Sequence, residues 1–209
     1  MKLYMTPGAC STGIHILLEE IGLLFEVHPV NLPAGEHRSE AYLAINPKGT
    51  IPTLVREDGS ALTDFQSIAW WLARTYPEQR LLPSDPDGEA EVLSLMGYAV
   101  NMLHAEGFAR LFVPDQFALR DADHEAIKQR GREIVARGFA YVDDVLKGQG
   151  SDEGSFTIAD AALFYVMFWA DRTDLPMPPH CQAHYRRLLQ RPAVRQVLME
   201  EGYGRVLAE

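Results

Sequence analysis

Three observations predict an α/β unit followed by an all-helical one. Every short run with strand character lies before Pro77, interleaved with two amphipathic helical patterns. Arg80-Leu-Leu-Pro-Ser-Asp-Pro-Asp-Gly88 then breaks the periodicity with two prolines and a glycine. Beyond it, apolar residues recur only at helical spacing.

In the first unit, Lys2 to Met5 is a short strand. Thr6-Pro7-Gly8 ends it, because proline lacks a donor and glycine punctuates turns. Ser11 or Thr12 can cap a helix whose apolar face is Ile14, Leu17, Leu18 and Ile21, with Gly22 at its C-terminal end. Phe25 to Val30 is a second strand, and 31–39 is a polar loop. Glu40 to Ala44 is one helical turn, and Asn46-Pro47-Lys48-Gly49 is a turn. Thr50 to Val55 and Ser60 to Leu62 flank Asp58-Gly59 as a hairpin. Thr63 or Asp64 caps a helix bearing Ile68, Trp71 and Leu72, which Pro77 stops. Strands joined through a helix pair in parallel, whereas the hairpin adds antiparallel strands.

The second unit opens with a long helix over Glu89 to Leu111, ended or bent by Pro114. Another follows over Asp123 to Leu146, then a connector over 148–154. Thr157-Ile-Ala-Asp160 has the form of a capping box. Ala161 to Ala170 after it is apolar all round, so that helix is central. A proline-rich loop, a helix near Cys181 to Gln190 and a last helix opened by Pro192 complete the chain.

The charge of −10 over 209 residues argues against a general binder of nucleic acid or anionic membranes. No apolar run reaches the roughly 20 residues needed to span a bilayer, and the N-terminus reads as a strand rather than a leader. Two separated cysteines, Cys10 and Cys181, imply no disulfide framework, and no His/Cys cluster has zinc spacing. A cytoplasmic, metal-free protein is expected.

Cys10 stands at the strand-to-helix turn. It is either a small buried side chain or a thiol whose ionised form the helix N-terminus favours. Lowering a thiol pKa by two units requires about 2.7 kcal/mol. A helix terminus supplies ~0.3–1 kcal/mol, at best ~2. A second donor such as Ser11 is therefore needed; one charge-assisted hydrogen bond adds ~1.5–3 kcal/mol.

Met1-Lys-Leu-Tyr, Pro-Gly-Ala-Cys-Ser11, Asn-Pro-Lys-Gly49, Ile-Pro-Thr-Leu54, the Asp-Gly hairpin and Phe-Thr-Ile-Ala-Asp160 occur together and in order. In this the chain resembles the glutathione S-transferase family, most nearly its bacterial beta-like type. The resemblance implies a thioredoxin-like, glutathione-binding domain over 1–79, a linker over 80–88, an all-α domain over 89–209, and a cytoplasmic homodimer. It also implies a cis Ile51-Pro52 bond, with Ile51 pairing through its backbone to the cysteinyl part of glutathione, the co-substrate. Cys10 would lie against the glutathione sulfur and Ser11 would donate to it. Tyr4, inside the first strand, reads as packing rather than catalyst. Lys48, with Arg38 and His37, supplies nearby positive charge for an anionic tripeptide. Asp64 and Phe65 stand where the family has an acidic or amide residue followed by serine. Phe65 therefore offers only its backbone, and Gln66 or Ser67 can contact the ligand instead.

The beta-like His-Lys pair that faces the thiol is replaced here by Ala105-Glu106, with His104 one position earlier. Tyr98, Met102, Phe108 and Phe112 are expected on the hydrophobic substrate side, with Tyr165 and Trp169 in the helical core. The implied activity is conjugation of the glutathione thiolate to small hydrophobic electrophiles. The alternatives are a glutathione-dependent monothiol reductase or peroxidase acting through Cys10, and a non-catalytic ligand-binding member.

Overall fold

The computed structural model describes residues 1–149 and 156–207. The chain divides into two compact units. One is Met1–Ser84 together with the segment from Leu189 onward, and the other is Asp85–Leu188. The expected all-α domain over 89–209 differs from this division. The last helix returns to the first unit because its apolar residues Val194, Val197 and Leu198 are buried there. Arg191 also holds Glu20 through two hydrogen bonds of 2.6 and 2.8 Å.

The first unit is a thioredoxin-like βαβ-ββα arrangement. Its strands are β1 (Lys2–Met5), β2 (Glu26–Pro29), β3 (Thr53–Val55) and β4 (Ala61–Thr63), in the order β2-β1-β3-β4. β1 pairs with β2 in parallel, Leu3 opposite Val27, while β1–β3 and β3–β4 are antiparallel. Helices α1 (Ser11–Ile21), α2 (Glu40–Leu43) and α3 (Phe65–Thr75) join them, and α9 (Pro192–Glu200) completes the unit. Leu3, Met5 and Leu54 from the sheet are buried with Ile14, Leu17 and Leu18 of α1 and Ile68 and Leu72 of α3. α1 ends as its sequence predicts: Gly22 adopts φ 75°, and its N–H returns to the Leu18 and Glu19 carbonyls.

The second unit holds α4 (Pro86–Tyr98), α5 (Ala109–Phe112), α6 (His124–Gln149), α7 (Ile158–Arg172) and α8 (Pro179–Leu188). α4 starts within the stretch expected to be a linker. Asp85 caps it, accepting the Gly88 N–H at 2.8 Å, and Pro86 takes the first helical position. The expected regular helix over 89–111 is interrupted, because Ala99–Phe108 is π-helical and separates α4 from α5. Bonding to i+5 turns each residue by less than the 100° of an α-helix, so α-helical facing does not hold for His104, Ala105 and Glu106. α7 is buried from Ile158 to Ala170 apart from Asp160, as its uniform apolarity predicts. The Asp160 carboxylate accepts the Thr157 N–H at 2.8 Å and lies 2.9 Å from His184 Nε2. Burial works to raise the Asp160 pKa, but the His184 and Thr157 contacts outweigh it and hold the carboxyl below its ordinary value. The connector expected over 148–154 lies, from residue 150 on, outside the described residues.

Candidate active site

Cys10 occupies the N-cap of α1 in helical conformation, φ −57° and ψ −27°, and its side chain caps nothing. It is 8% exposed, and its Sγ donates toward the Ile51 carbonyl at 3.6 Å. Ile51 is joined to Pro52 by a cis bond, as the resemblance implies. The thiol and the segment before β3 therefore meet within one unit.

The electrostatics of this thiol run opposite to the helix-terminus expectation. Burial pushes Cys10 up to about 12 from the ordinary 9.0, and the Ser11 and Cys10 amides oppose that without reversing it. Removing a thiolate from water outweighs a helix N-terminus worth ~0.3–1 kcal/mol. Cys10 is accordingly a neutral thiol at physiological pH. In that state it donates a hydrogen bond rather than attacking.

Ser11 is also placed differently from the sequence expectation. Its hydroxyl, fully buried, accepts the Thr6 N–H at 3.1 Å and donates to the Thr6 carbonyl at 3.1 Å. The group expected to donate to a substrate sulfur closes the β1–α1 turn instead. Neither Ser11 nor Thr12 caps α1, since both lie inside its first turn. The Thr12 hydroxyl donates to Glu201 Oε2 at 2.7 Å. That oxygen also accepts the Gly8 N–H at 2.8 Å, and Oε1 lies 2.9 Å from His15 Nδ1. Glu201 thus holds the Cys10 turn from behind. Sequence reading passed over it because a glutamate past a helix end looks like a solvated charge.

Asp64 occupies the N-cap of α3, its carbonyl accepting the Ile68 N–H at 3.1 Å, but its backbone is not relaxed. Its backbone sits at φ 71° and ψ 138°, and its side chain makes no capping bond. The carboxylate instead takes the Lys48 ammonium at 2.6 Å, both side chains being 55% exposed. Phe65 turns its ring into the core at 4% exposure. Gln66 is half-buried, and its Nε2 is buried with no hydrogen-bond partner. Ser67 is exposed. Of the two candidates after Phe65, Gln66 is the one left with an unfilled donor.

In the helical unit, Phe108 is fully buried, stacked on Phe112 at 5.7 Å and edge-on to Trp169 at 5.4 Å. It is core rather than a lining residue. Met102 and Phe112 are exposed, and Tyr98 lies against Tyr141 at 4.4 Å. Tyr165 and Trp169 are buried as expected. His104 contacts the Tyr165 hydroxyl at 3.3 Å, and burial pushes its pKa down to about 4. Glu106 pairs with Arg110, four residues on in α5, at 2.7 Å.

This architecture has close counterparts. The family model for the glutathione S-transferase N-terminal domain matches residues 8–75, and that for the C-terminal domain matches residues 125–187. The chain is 35% identical to glutathione S-transferase GstA of Escherichia coli O157:H7, over 97% of this chain and 99% of that protein. It is 34% identical to a maleylacetoacetate isomerase of Pseudomonas aeruginosa, over 82% of each. A glutathione transferase homologue from Sulfitobacter, solved with bound glutathione, superimposes with a TM-score of 0.87 at 28% identity, covering 97% of this chain and 98% of that one. On these matches and on its architecture, the chain belongs to the glutathione S-transferase family.

Proposed function

We propose that the first unit binds glutathione and that the protein transfers the glutathione sulfur to small hydrophobic electrophiles. Asp64 carries this reading. A non-glycine residue held at φ 71°, exposed and paired with a lysine, keeps a carboxylate in place at a backbone cost of about 1–3 kcal/mol. Such strain concentrates where a ligand is gripped. In this reading Asp64 accepts the γ-glutamyl ammonium, and the buried Gln66 Nε2 and the α3 amide end receive its carboxylate. Ile51 pairs with the cysteinyl backbone, and Lys48 offsets the tripeptide's negative charge.

Cys10 then acts as a donor. Its S–H, directed in the free protein at the Ile51 carbonyl, turns to the glutathione sulfur and stabilises the thiolate. That thiolate attacks an electrophilic carbon. The S–C bond forms, the carbon–leaving group bond breaks with its electron pair leaving, and the glutathione thiol proton passes to solvent. The pKa near 12 speaks against the monothiol reductase alternative, which needs Cys10 itself as a thiolate.

Calorimetry with glutathione and turnover of a chlorinated aromatic test the proposal together. We expect saturable binding, weakened about tenfold or more in Asp64→Ala, and conjugation reduced in Cys10→Ala. Absence of heat at millimolar glutathione overturns it, as does unchanged affinity in Asp64→Ala. A glutathione adduct on Cys10 after oxidised-glutathione treatment at neutral pH would favour the reductase.

A further inference from the structure

Behind the Cys10 turn, α1 and α9 bring together a cluster that the sulfur chemistry does not use. His15 and Glu19 stand one turn apart on α1, and Glu200 is the last residue of α9. One nitrogen or oxygen atom from each lies within 4.8 Å of the others.

The imidazole is held in the manner of a metal ligand. Its side chain is 2% exposed. Nδ1 lies 2.9 Å from Glu201 Oε1. That carboxylate only accepts, so the hydrogen sits on Nδ1 and Nε2 is turned toward the acidic pair. Glu201 is itself fixed by the Gly8 amide and the Thr12 hydroxyl, and Phe25 meets the ring edge-on at 5.5 Å. A carboxylate behind Nδ1 is the arrangement that orients metal-bound histidines. Nε2 is buried and has no hydrogen-bond partner; Glu200 Oε2 is 3.2 Å away but outside hydrogen-bond geometry. His184 differs, because the Asp160 carboxylate that faces it is already bonded to Thr157.

We propose that His15, Glu19 and Glu200 bind one divalent cation of the zinc class, with water completing the coordination. Ligands on a tetrahedral zinc at ~2.0–2.1 Å stand about 3.3–3.4 Å apart, so His15 Nε2 and Glu200 Oε2 are already at the required spacing. Glu19 is half-buried and Glu200 exposed, which leaves an access route for the ion and room for rotamer closure. Glu19 and Glu200 set two carboxylates on the same side of the His15 ring, and a dication between them would offset their mutual repulsion. An imidazole nitrogen selects zinc over magnesium or calcium, which favour all-oxygen sites. The ion would staple α1 to α9 and so brace the Cys10 turn.

Titration of the metal-free full-length chain with cobalt(II) chloride, followed by zinc chloride, tests this. We expect a saturable one-to-one visible band of tetrahedral cobalt that zinc displaces. Zinc, and not magnesium at the same concentration, should raise Tm. Glu19→Gln and Glu200→Gln, neither of them a core substitution, should each weaken binding by about tenfold or more, the scale of loss seen even for outer-shell partners. X-ray absorption on the zinc-loaded protein should show nitrogen and oxygen ligands only. Absence of saturable binding overturns the proposal, and so does sulfur in the zinc shell. Affinity that survives Glu19→Gln/Glu200→Gln also overturns it.

Discussion

Glu201 Oε2 accepts the Gly8 amide at 2.8 Å, although 193 positions separate the two residues. The same carboxylate serves the Thr12 hydroxyl and His15, so the end of the chain fixes the turn that carries Cys10. Glu201→Ala removes the acceptor shared by the Gly8 amide and the buried Thr12 and His15 side chains. It should destabilise the protein by about 1–3 kcal/mol for each buried donor left unsatisfied. A lowered urea midpoint at unchanged m reads this out; loss under ~1 kcal/mol would show the carboxylate to be dispensable.

Gly8 is constrained twice. It adopts φ +73°, and a Cβ there would collide with the Tyr203 ring. Gly8→Ala should therefore cost roughly 1–3 kcal/mol from the backbone alone, with more where the ring cannot move. Thermal unfolding measures it, and a neutral outcome is incompatible with the turn described.

Ser11→Ala distinguishes a turn-closing hydroxyl from a sulfur donor. Loss of both Thr6 contacts should reduce stability by about 1–3 kcal/mol. The ionisation of protein-bound glutathione, followed by thiolate absorbance against pH, should stay where it was. A shift of that titration with stability unchanged would restore the donor role.

The two cysteines set a pH dependence. Burial raises both Cys10 and Cys181 to about 12, with the Asp143 charge and hydrogen bond adding to the effect at Cys181. A pKa raised on folding stabilises the native state below the unfolded value of 9.0, and that stability is lost as pH climbs from there toward 12. Denaturant midpoints should fall across this window, and less steeply in Cys10→Ala. Alkylation by iodoacetamide at neutral pH should be slow in the folded chain and fast in urea.

Lys48 and Asp64 are more than half exposed, so their ion pair contributes only ~0–1 kcal/mol to folding. Lys48→Ala should leave Tm nearly unchanged and raise the KM for glutathione by about tenfold, the equivalent of one charge-assisted hydrogen bond of ~1.5 kcal/mol. A large Tm loss with normal KM would reverse the assignment.

Local chemistry made most of the architecture legible. Alternation and turn residues predicted the strands up to β4, Gly22 the end of α1, and unbroken apolarity the burial of α7. The strand-to-helix turn and the pairing of parallel with antiparallel strands followed the same signals, whereas the cis Ile51-Pro52 bond was implied only by the family resemblance. These features depend on neighbours a few residues apart, or on a motif that short spacing expresses.

What only the tertiary structure decided depends on burial and on contacts that local residue patterns do not express. The π-helical stretch over Ala99–Phe108 arises inside a segment whose apolar spacing reads as ordinary helix. The state of Cys10 turned on burial, which outweighs the helix terminus, and Ser11 bonds to Thr6 rather than pointing at a ligand. Glu200 and Glu201, which no sequence motif marks, are set against His15 when α9 folds back onto α1. The sequence by itself determined which elements form. Only the packed chain, through desolvation and contacts across nearly its full length, decided what the side chains at the first turn are able to do.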